Sequence, residues 1–250
     1  MGYVIAIAGK GGVGKTTVTG LIINILKKKK MGSVLAVDAD PSSNLAETLG
    51  INSHESIGGI LDELSAHPEK IPSGMPKDSF IEYQVQNAIQ EKDGFDLLTM
   101  GRPEGPGCYC YVNNVLRNVM AKLINDYDYV IIDNEAGLEH LSRRTTRSAD
   151  VLLVISDATP VALQAAKKIS NLVKELNIKI KKKVILVNRY DQNSGPDKIN
   201  ETGLEYIGNI PQDKELARLG LNGNSLLDLK DDVVSIRALR NIGDKIWQGN

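Results

Sequence analysis

The stretch GKGGVGKTT at residues 9–17 decides the fold, because it lies between a short apolar run and a segment of helical character. From Gly9 to Thr16 it matches the pattern G-x-x-x-x-G-K-[ST]. Glycines let backbone N–H groups converge on phosphate oxygens without an obstructing Cβ, and the amino terminus of the following helix adds positive potential. The stretch therefore predicts a phosphate-binding loop between a strand and a helix.

The polar side chains of this loop have expected roles in binding ATP and Mg²⁺. Lys15 should bridge the β- and γ-phosphates, and the Thr16 hydroxyl should ligate Mg²⁺. Thr17 is expected to bond the α-phosphate. The other loop residues expected to bind the nucleotide are Gly9, Gly11, Gly12, Val13 and Gly14. The sequence thus predicts an ATPase built around one ATP–Mg²⁺ site.

Short apolar runs alternate with longer helix-like stretches outward from this loop. The predicted strands are Tyr3–Ala8, Ser33–Asp38, Phe95–Met100, Tyr129–Asp133, Val151–Ser156 and Val184–Asn188. Most are continuous runs of Val, Ile and Leu, which is typical of parallel strands covered on both faces. The predicted helices are Lys15–Lys30, Val112–Asn125 and Pro160–Asn177. This alternation predicts a doubly wound α/β fold, with a mostly parallel sheet and helices on both faces.

Length and composition suit one globular domain. The 250 residues are 42% hydrophobic and 24% charged, and no linker divides them, so we expect residues 1–250 to form a single domain. A net charge of −1 and 4% aromatic residues disfavour nucleic acid as a partner. The apolar run Val4–Ala8 is too short for a signal peptide or a membrane span, and two cysteines do not make a secreted disulfide framework. We expect a cytoplasmic protein without stable membrane association.

Acidic residues at the ends of two predicted strands complete the expected ATPase site. Asp40 is expected to orient or deprotonate the attacking water, and Asp38 to support water bound to Mg²⁺. Asp133 is the single acid at the end of its strand and is expected to hold Mg²⁺ through the ion's water shell. Asp, Pro and Ser are also favoured in turns and caps before helices, so a structural role for Asp38–Asn44 stays open.

Cys108 and Cys110 lie one residue apart in a loop rich in Gly and Pro. Two thiolates cannot complete a four-coordinate site for a soft metal. A C2 dimer that brings two such loops together supplies four sulfurs, enough for Zn²⁺ or Ni²⁺. Packing is the alternative, because Cys is among the most buried residue types.

The phosphate loop resembles the deviant Walker A motif of the MinD/ParA/nitrogenase-iron-protein class. This resemblance implies that Lys10 reaches across a dimer interface to phosphates held by the partner subunit, although a role in cis is the alternative. It also implies switch loops at Asp38–Asn44 and Asp133–Gly137. Nucleotide contacts are implied for three further residues: Asn188 at the adenine ring, the adjacent Arg189, and Pro211 in the loop that closes over the base.

Two further segments, GRPEGPGCYCYVN at residues 101–113 and DNEAGLEHLSRR at residues 133–144, resemble the CooC-type nickel-insertion ATPases. These are maturation factors for carbon monoxide dehydrogenase and the related acetyl-CoA synthase. The resemblance implies an ATP-dependent homodimer that binds nickel, or zinc, through Cys108 and Cys110 of each subunit. The partner would then be a client nickel enzyme.

Three other functions use the same ATPase core. An electron-donating iron–sulfur protein draws its cysteines from two separated loops, whereas only Cys-x-Cys is present here. A MinD-like positioning ATPase needs a basic amphipathic terminal helix, and Val233–Trp247 has such a pattern, although packing against the sheet is the favoured explanation of it. A ParA-like partitioning ATPase is disfavoured by the near-neutral charge.

Overall fold

The computed structural model describes residues 2–51, 55–101, 110–136, 148–190 and 199–247. The strands are β1 (Tyr3–Gly9), β2 (Val34–Ala39), β3 (Gln90–Lys92), β4 (Phe95–Thr99), β5 (Tyr129–Asn134), β6 (Ser148–Ser156), β7 (Lys179–Tyr190) and β8 (Glu205–Pro211). Within the described ranges they form one sheet in the order β3-β4-β2-β5-β1-β6-β7-β8. Every pairing is parallel except that of β3 with β4.

Helices connect the parallel strands. They are α1 (Lys15–Lys29), α2 (Asn44–Thr48), α3 (Ile57–Ala66), α4 (Lys77–Asn87), α5 (Cys110–Asp126), α6 (Pro160–Glu175), α7 (Lys214–Asn222) and α8 (Val234–Ile242). Short 3-10 turns occur at Pro68–Lys70, Asn200–Thr202, Leu226–Asp228 and Gly243–Lys245.

Two apolar layers cover the two faces of the sheet. Alternate residues of β1 belong to different layers, with Val4 and Ala6 in one and Ile5 and Ile7 in the other. Helices α3 to α6 pack in the first layer, while α1, α2 and α8 pack in the second. Both faces are therefore buried, which is why the strands read as continuous apolar runs. The doubly wound, mostly parallel fold predicted from the sequence is confirmed.

All six predicted strands are present, with small shifts at their ends, and so are the three predicted helices. Strand β7 begins earlier than predicted, at Lys179, because its first residues pair with β6 alone. Strands β3 and β8 were not predicted; they form the two edges of the sheet, where one neighbour and partial exposure weaken the apolar pattern.

The carboxyl-terminal segment packs against the sheet. Ile236 and Leu239 of α8, followed by Ile246 and Trp247, are buried in the layer that contains α1. The packing interpretation of the amphipathic pattern is thus confirmed for the described residues. Of the helices that the structure describes, none has the length and apolar character needed to cross a membrane.

Candidate functional site

The phosphate loop connects β1 to α1 at the carboxyl edge of the sheet. Gly9 passes so close to β6 that a Cβ there would lie 2.3 Å from the Ile155 carbonyl oxygen. Gly14 has φ +93°, and a Cβ there would lie 2.4 Å from Nδ2 of Asn188. Side chains at these two positions would clash with the neighbouring strands, so the loop can follow this path only with glycine there. Lys10 is exposed in the same loop.

Two side chains at the end of β7 hold the loop in place. The buried Asn188 donates from Nδ2 to the Val13 carbonyl oxygen at 2.9 Å. Arg189 donates from Nη1 to the Gly12 carbonyl oxygen at 3.2 Å. Its backbone is left-handed, with φ +54°, at an irregularity in the pairing of β7 with β8. Such a kink redirects a side chain, here toward the loop.

A Mg²⁺–phosphate site of this kind uses a hydroxyl, an ammonium group and a carboxylate together, and Thr16, Lys15 and Asp133 are close enough to provide them. Lys15 and Asp133 are both buried. Burial raises the pKa of Asp133 to about 6, while the Thr16 hydroxyl and the Lys15 ammonium group oppose the shift. Among the described residues, no group reaches either Asp133 oxygen with full hydrogen-bond geometry. A buried carboxylate with both oxygens unsatisfied fits hydrated Mg²⁺ as its missing partner.

Asp38 lies beside Asp133 in the sheet and is fully buried. Its Oδ2 accepts a hydrogen bond from the Leu45 N–H at 2.9 Å and its Oδ1 from the Asp40 N–H at 3.2 Å. Burial raises the pKa of Asp38 to about 7, although the Leu45 N–H opposes the shift; the Asp133 charge adds to it. Asp38 therefore caps the start of α2, which confirms the structural role left open by the sequence. Its role toward Mg²⁺-bound water stays a prediction.

Asp40 begins the loop between β2 and α2. Its Oδ1 accepts from the Ser42 N–H at 2.9 Å, which fixes the carboxylate in a tight turn. The Asp40 carboxylate is also close enough to raise the pKa of both Asp38 and Asp133. The three acids therefore lie close together, and the catalytic role of Asp40 stays a prediction.

A cavity of about 420 Å³ opens beside the loop. Four residues predicted to bind the nucleotide line it, namely Thr17, Asn188, Arg189 and Pro211. Residues of α2 and α7 complete the wall. The cavity thus lies next to the phosphate loop and has room for a nucleoside, as the predicted adenine contacts require.

The cysteine predictions fall largely outside the described residues. Cys108 lies outside them, and so does Gly137 of the second switch loop. Cys110 is the first residue of α5, but its side chain is not described. The thiolate metal site and the movement of Gly137 therefore stay predictions.

Two polar residues of the site were missed in the sequence. Asn134 is buried after Asp133 and donates from Nδ2 to the Ile7 carbonyl oxygen at 2.9 Å, which ties β5 to β1 beneath the loop. Asp213 lines the cavity and accepts from the N–H groups of Glu215 and Leu216 in α7. The aspartate just before a helix was the available signal for Asp213. A single Asn at the end of a strand, such as Asn134, gives no comparable signal.

Asp213 also joins two helices. Its Oδ1 is 2.9 Å from the Glu215 N–H, and its Oδ2 accepts from the Ser235 N–H of α8 at 2.9 Å. One carboxylate thereby satisfies amide groups at the starts of both α7 and α8. The cavity wall formed by α7 is held in position through this residue.

Comparisons with known proteins identify a family and several relatives of this chain. Residues 2–186 match the model of a protein family described as AAA domain. A protein of Methanocaldococcus jannaschii, described as an uncharacterized ATP-binding protein, is 44% identical over 248 residues, which cover 97% of this chain and 98% of that protein. The carbon monoxide dehydrogenase accessory protein CooC of Rhodospirillum rubrum is 28% identical, covering 90% of this chain and 89% of CooC.

The fold also matches that of solved structures. The MinD cell division protein of Aquifex aeolicus superposes with a TM-score of 0.70 at 23% identity, covering 99% of this chain and 98% of that chain. At this identity the likeness concerns the fold, which is that of the P-loop NTPases.

Proposed function

This chain belongs to the AAA-domain family and has the P-loop NTPase fold, and we propose that it is an ATPase. We further propose that it works as a nickel metallochaperone. In this proposal ATP binding closes a homodimer. Hydrolysis reopens it and accompanies transfer of nickel to carbon monoxide dehydrogenase or acetyl-CoA synthase. The alternative is an ATP switch of the MinD/ParA type with another partner.

The observation that carries the proposed ATPase activity is a group of three acids beside the phosphate loop, of which Asp38 and Asp133 are buried and Asp40 is partly buried. Asp133 and Asp38 are neighbours on adjacent strands, and the Asp40 charge reaches both. Such a concentration of buried negative charge is costly without a cation. Thr16 and Asp133 would hold Mg²⁺, which neutralises charge on the β- and γ-phosphates.

The residues of the chain have distinct tasks in the proposed reaction. Lys15, already buried beside Asp133, contacts the β- and γ-phosphates. Asp40 orients a water molecule that attacks the γ-phosphorus as the bond to the β-phosphate oxygen breaks. Lys10 of one subunit contacts phosphates in the other. ATP favours the closed dimer only to the extent that it binds that state more tightly than the open one.

The nickel role is supported by the Cys-x-Cys segment and by the relatedness to CooC over most of both chains. Cys108 and Cys110 of two subunits together supply four thiolates, a set that suits soft divalent ions such as Ni²⁺ and Zn²⁺. Nickel is the cargo in this proposal, and the dimer state decides whether the site has two or four ligands.

Substitution of Asp40 tests the proposed ATPase activity. Asp40→Ala should retain ATP and accumulate an ATP-bound dimer, because the phosphate loop is intact while the water is not oriented. Phosphate release and the mass of the species by light scattering are the measurements. Asp232→Ala, an exposed acid remote in sequence, is the control and should turn over normally. Normal phosphate release by Asp40→Ala would remove Asp40 from catalysis.

A further inference from the structure

One cavity beside the phosphate loop is lined both by Thr17, which is expected to bond the α-phosphate, and by Asn188 and Pro211, which are expected to lie at the base. A ribose connects the base of a nucleotide to its α-phosphate. Under the proposed function, the sugar must therefore lie in this cavity, whose wall is formed in part by α2.

Helix α2 is fixed against α1 next to Thr17. A Cβ on Gly20, one turn beyond Thr17, would come within 3.4 Å of Cγ2 of Thr48. Leu45 and Ala46 are fully buried in the layer beneath. The next two residues of this short helix, Glu47 and Thr48, line the cavity. Glu47 is thus presented to the cavity by a well-packed element.

The cavity wall carries two carboxylates, but only one has free acceptors among the described residues. The Asp213 carboxylate accepts hydrogen bonds from three backbone N–H groups, those of Glu215, Leu216 and Ser235. Within the described part of the chain, the Glu47 carboxylate has no hydrogen bond or ion pair. Arg189 is the cation among the described lining residues, and its guanidinium group is turned to the Gly12 carbonyl.

A free carboxylate is the strongest available acceptor for neutral hydroxyl donors. The other polar side chain on α2, Thr48, already donates its hydroxyl hydrogen to the Asn44 carbonyl oxygen at 2.8 Å. We propose that Glu47 binds the ribose hydroxyls of the nucleotide and makes this site selective for ribonucleotides over deoxyribonucleotides. The inference rests on the proposed function, since it places a nucleotide in this cavity.

The proposed contact of Glu47 with the ribose is connected to the switch loop Asp38–Asn44. Asp38 accepts from Leu45 of α2, so the helix that carries Glu47 is bonded to the acidic group beside the phosphate loop. Helix α2 would therefore contact the sugar through Glu47 and the acidic group through the Leu45 N–H.

Binding of ADP, 2′-deoxy-ADP and 3′-deoxy-ADP, measured by calorimetry with Mg²⁺, tests the proposal. Diphosphates avoid turnover during the titration, and unlabelled ligands keep the ribose hydroxyls free. The wild-type protein should bind ADP about tenfold more tightly than at least one deoxy analogue, as expected for loss of a hydrogen bond to a charged group. Glu47→Ala should bind all three within about twofold of one another. Glu47→Gln, which keeps the volume and a neutral acceptor, should show an intermediate preference.

Glu215→Ala is the matched control, because Glu215 lies on α7 but outside the cavity and pairs with Arg218. It should keep the wild-type preference. Equal binding of the three ligands by the wild type, or an unchanged preference in Glu47→Ala, would overturn the assignment. Failure of the wild type to bind ADP at all would overturn the proposed function as well. A ribose preference that is lost in Glu47→Ala, in a protein that fails to transfer nickel, would support Glu47 and count against the metallochaperone role alone.

Discussion

Asp38 and Asp133 are direct neighbours in register on the parallel strands β2 and β5. Parallel register partners present their side chains on the same face of the sheet, so the two carboxyl groups share one buried site. Burial raises the pKa of Asp38 to about 7 and that of Asp133 to about 6. The nucleotide-free protein thus holds two acids that are costly to ionise, and a cation at this site relieves that cost.

Replacement of Asp38 by Asn should stabilise the nucleotide-free, Mg²⁺-free protein at high pH. Asn can still accept from the Leu45 N–H, but it does not ionise. The shift of the Asp38 pKa from 3.8 to about 7 corresponds to at most about 4 kcal/mol of unfolding free energy. Between these pH values the unfolded chain binds fewer protons than the folded one, so wild-type stability falls as pH rises.

Urea unfolding at several pH values measures this effect. The stability advantage of Asp38→Asn should be absent near pH 4, grow up to about pH 7 and remain constant above. Asp232→Asn, at an exposed position, should follow the wild type throughout. An advantage that does not change with pH would show that ionisation of Asp38 carries no cost.

Gly14→Ala should destabilise the phosphate loop, because φ is +93° at this position and the new Cβ would lie 2.4 Å from Asn188 Nδ2. Backbone strain and loss of the bond from Asn188 to Val13 together should cost about 2–4 kcal/mol of unfolding free energy. ATP binding should weaken with it. Thermal unfolding and calorimetry are the measurements.

Gly11→Ala provides the comparison within the same loop. No atom lies within 4 Å of a Cβ on Gly11, and its φ needs no glycine. Its unfolding free energy should therefore stay within about 0.5 kcal/mol of the wild type. Equal stability of the two variants would contradict the contact between Gly14 and Asn188.

Lys10→Ala should abolish ATP-induced dimerisation while monomers still bind nucleotide. Lys10 is exposed in the loop, whereas Lys15 is buried beside Asp133, so the two lysines have different surroundings. Sedimentation velocity with a slowly hydrolysed ATP analogue distinguishes the states. Lys29→Ala, which removes an exposed lysine from the far end of α1, should dimerise normally. Dimerisation of Lys10→Ala at wild-type concentrations would confine Lys10 to its own subunit.

Buried strands were predictable from the sequence, and edge strands were not. In β5, both faces are covered, so apolar residues are continuous and the pattern is unambiguous. In β8, Ile207 and Ile210 are buried while neighbouring residues are polar or exposed. Strand β3 has little buried surface, although Asp93-Gly94, with Gly94 at φ +79°, is a known hairpin signal that would have revealed it.

Local motifs predicted the phosphate end of the site, and tertiary contacts determine the rest. Lys15 and Thr16 follow directly from the loop pattern and the helix that it starts. The role of Asp213 depends on the approach of α8, whose Ser235 is 22 residues away. Glu47 has no motif of its own; only the packing of α2 on α1 places it in the cavity.

The most direct test of the metallochaperone account is the stoichiometry of Ni²⁺ and Zn²⁺ binding under reducing conditions, with and without a slowly hydrolysed ATP analogue. The account predicts one ion per ATP-bound dimer, lost when Cys108 and Cys110 are both replaced by Ala, while ATP binding by that variant is unchanged. Binding that does not depend on these cysteines, or no binding at all, would contradict the shared thiolate site and leave an ATP switch with a different partner.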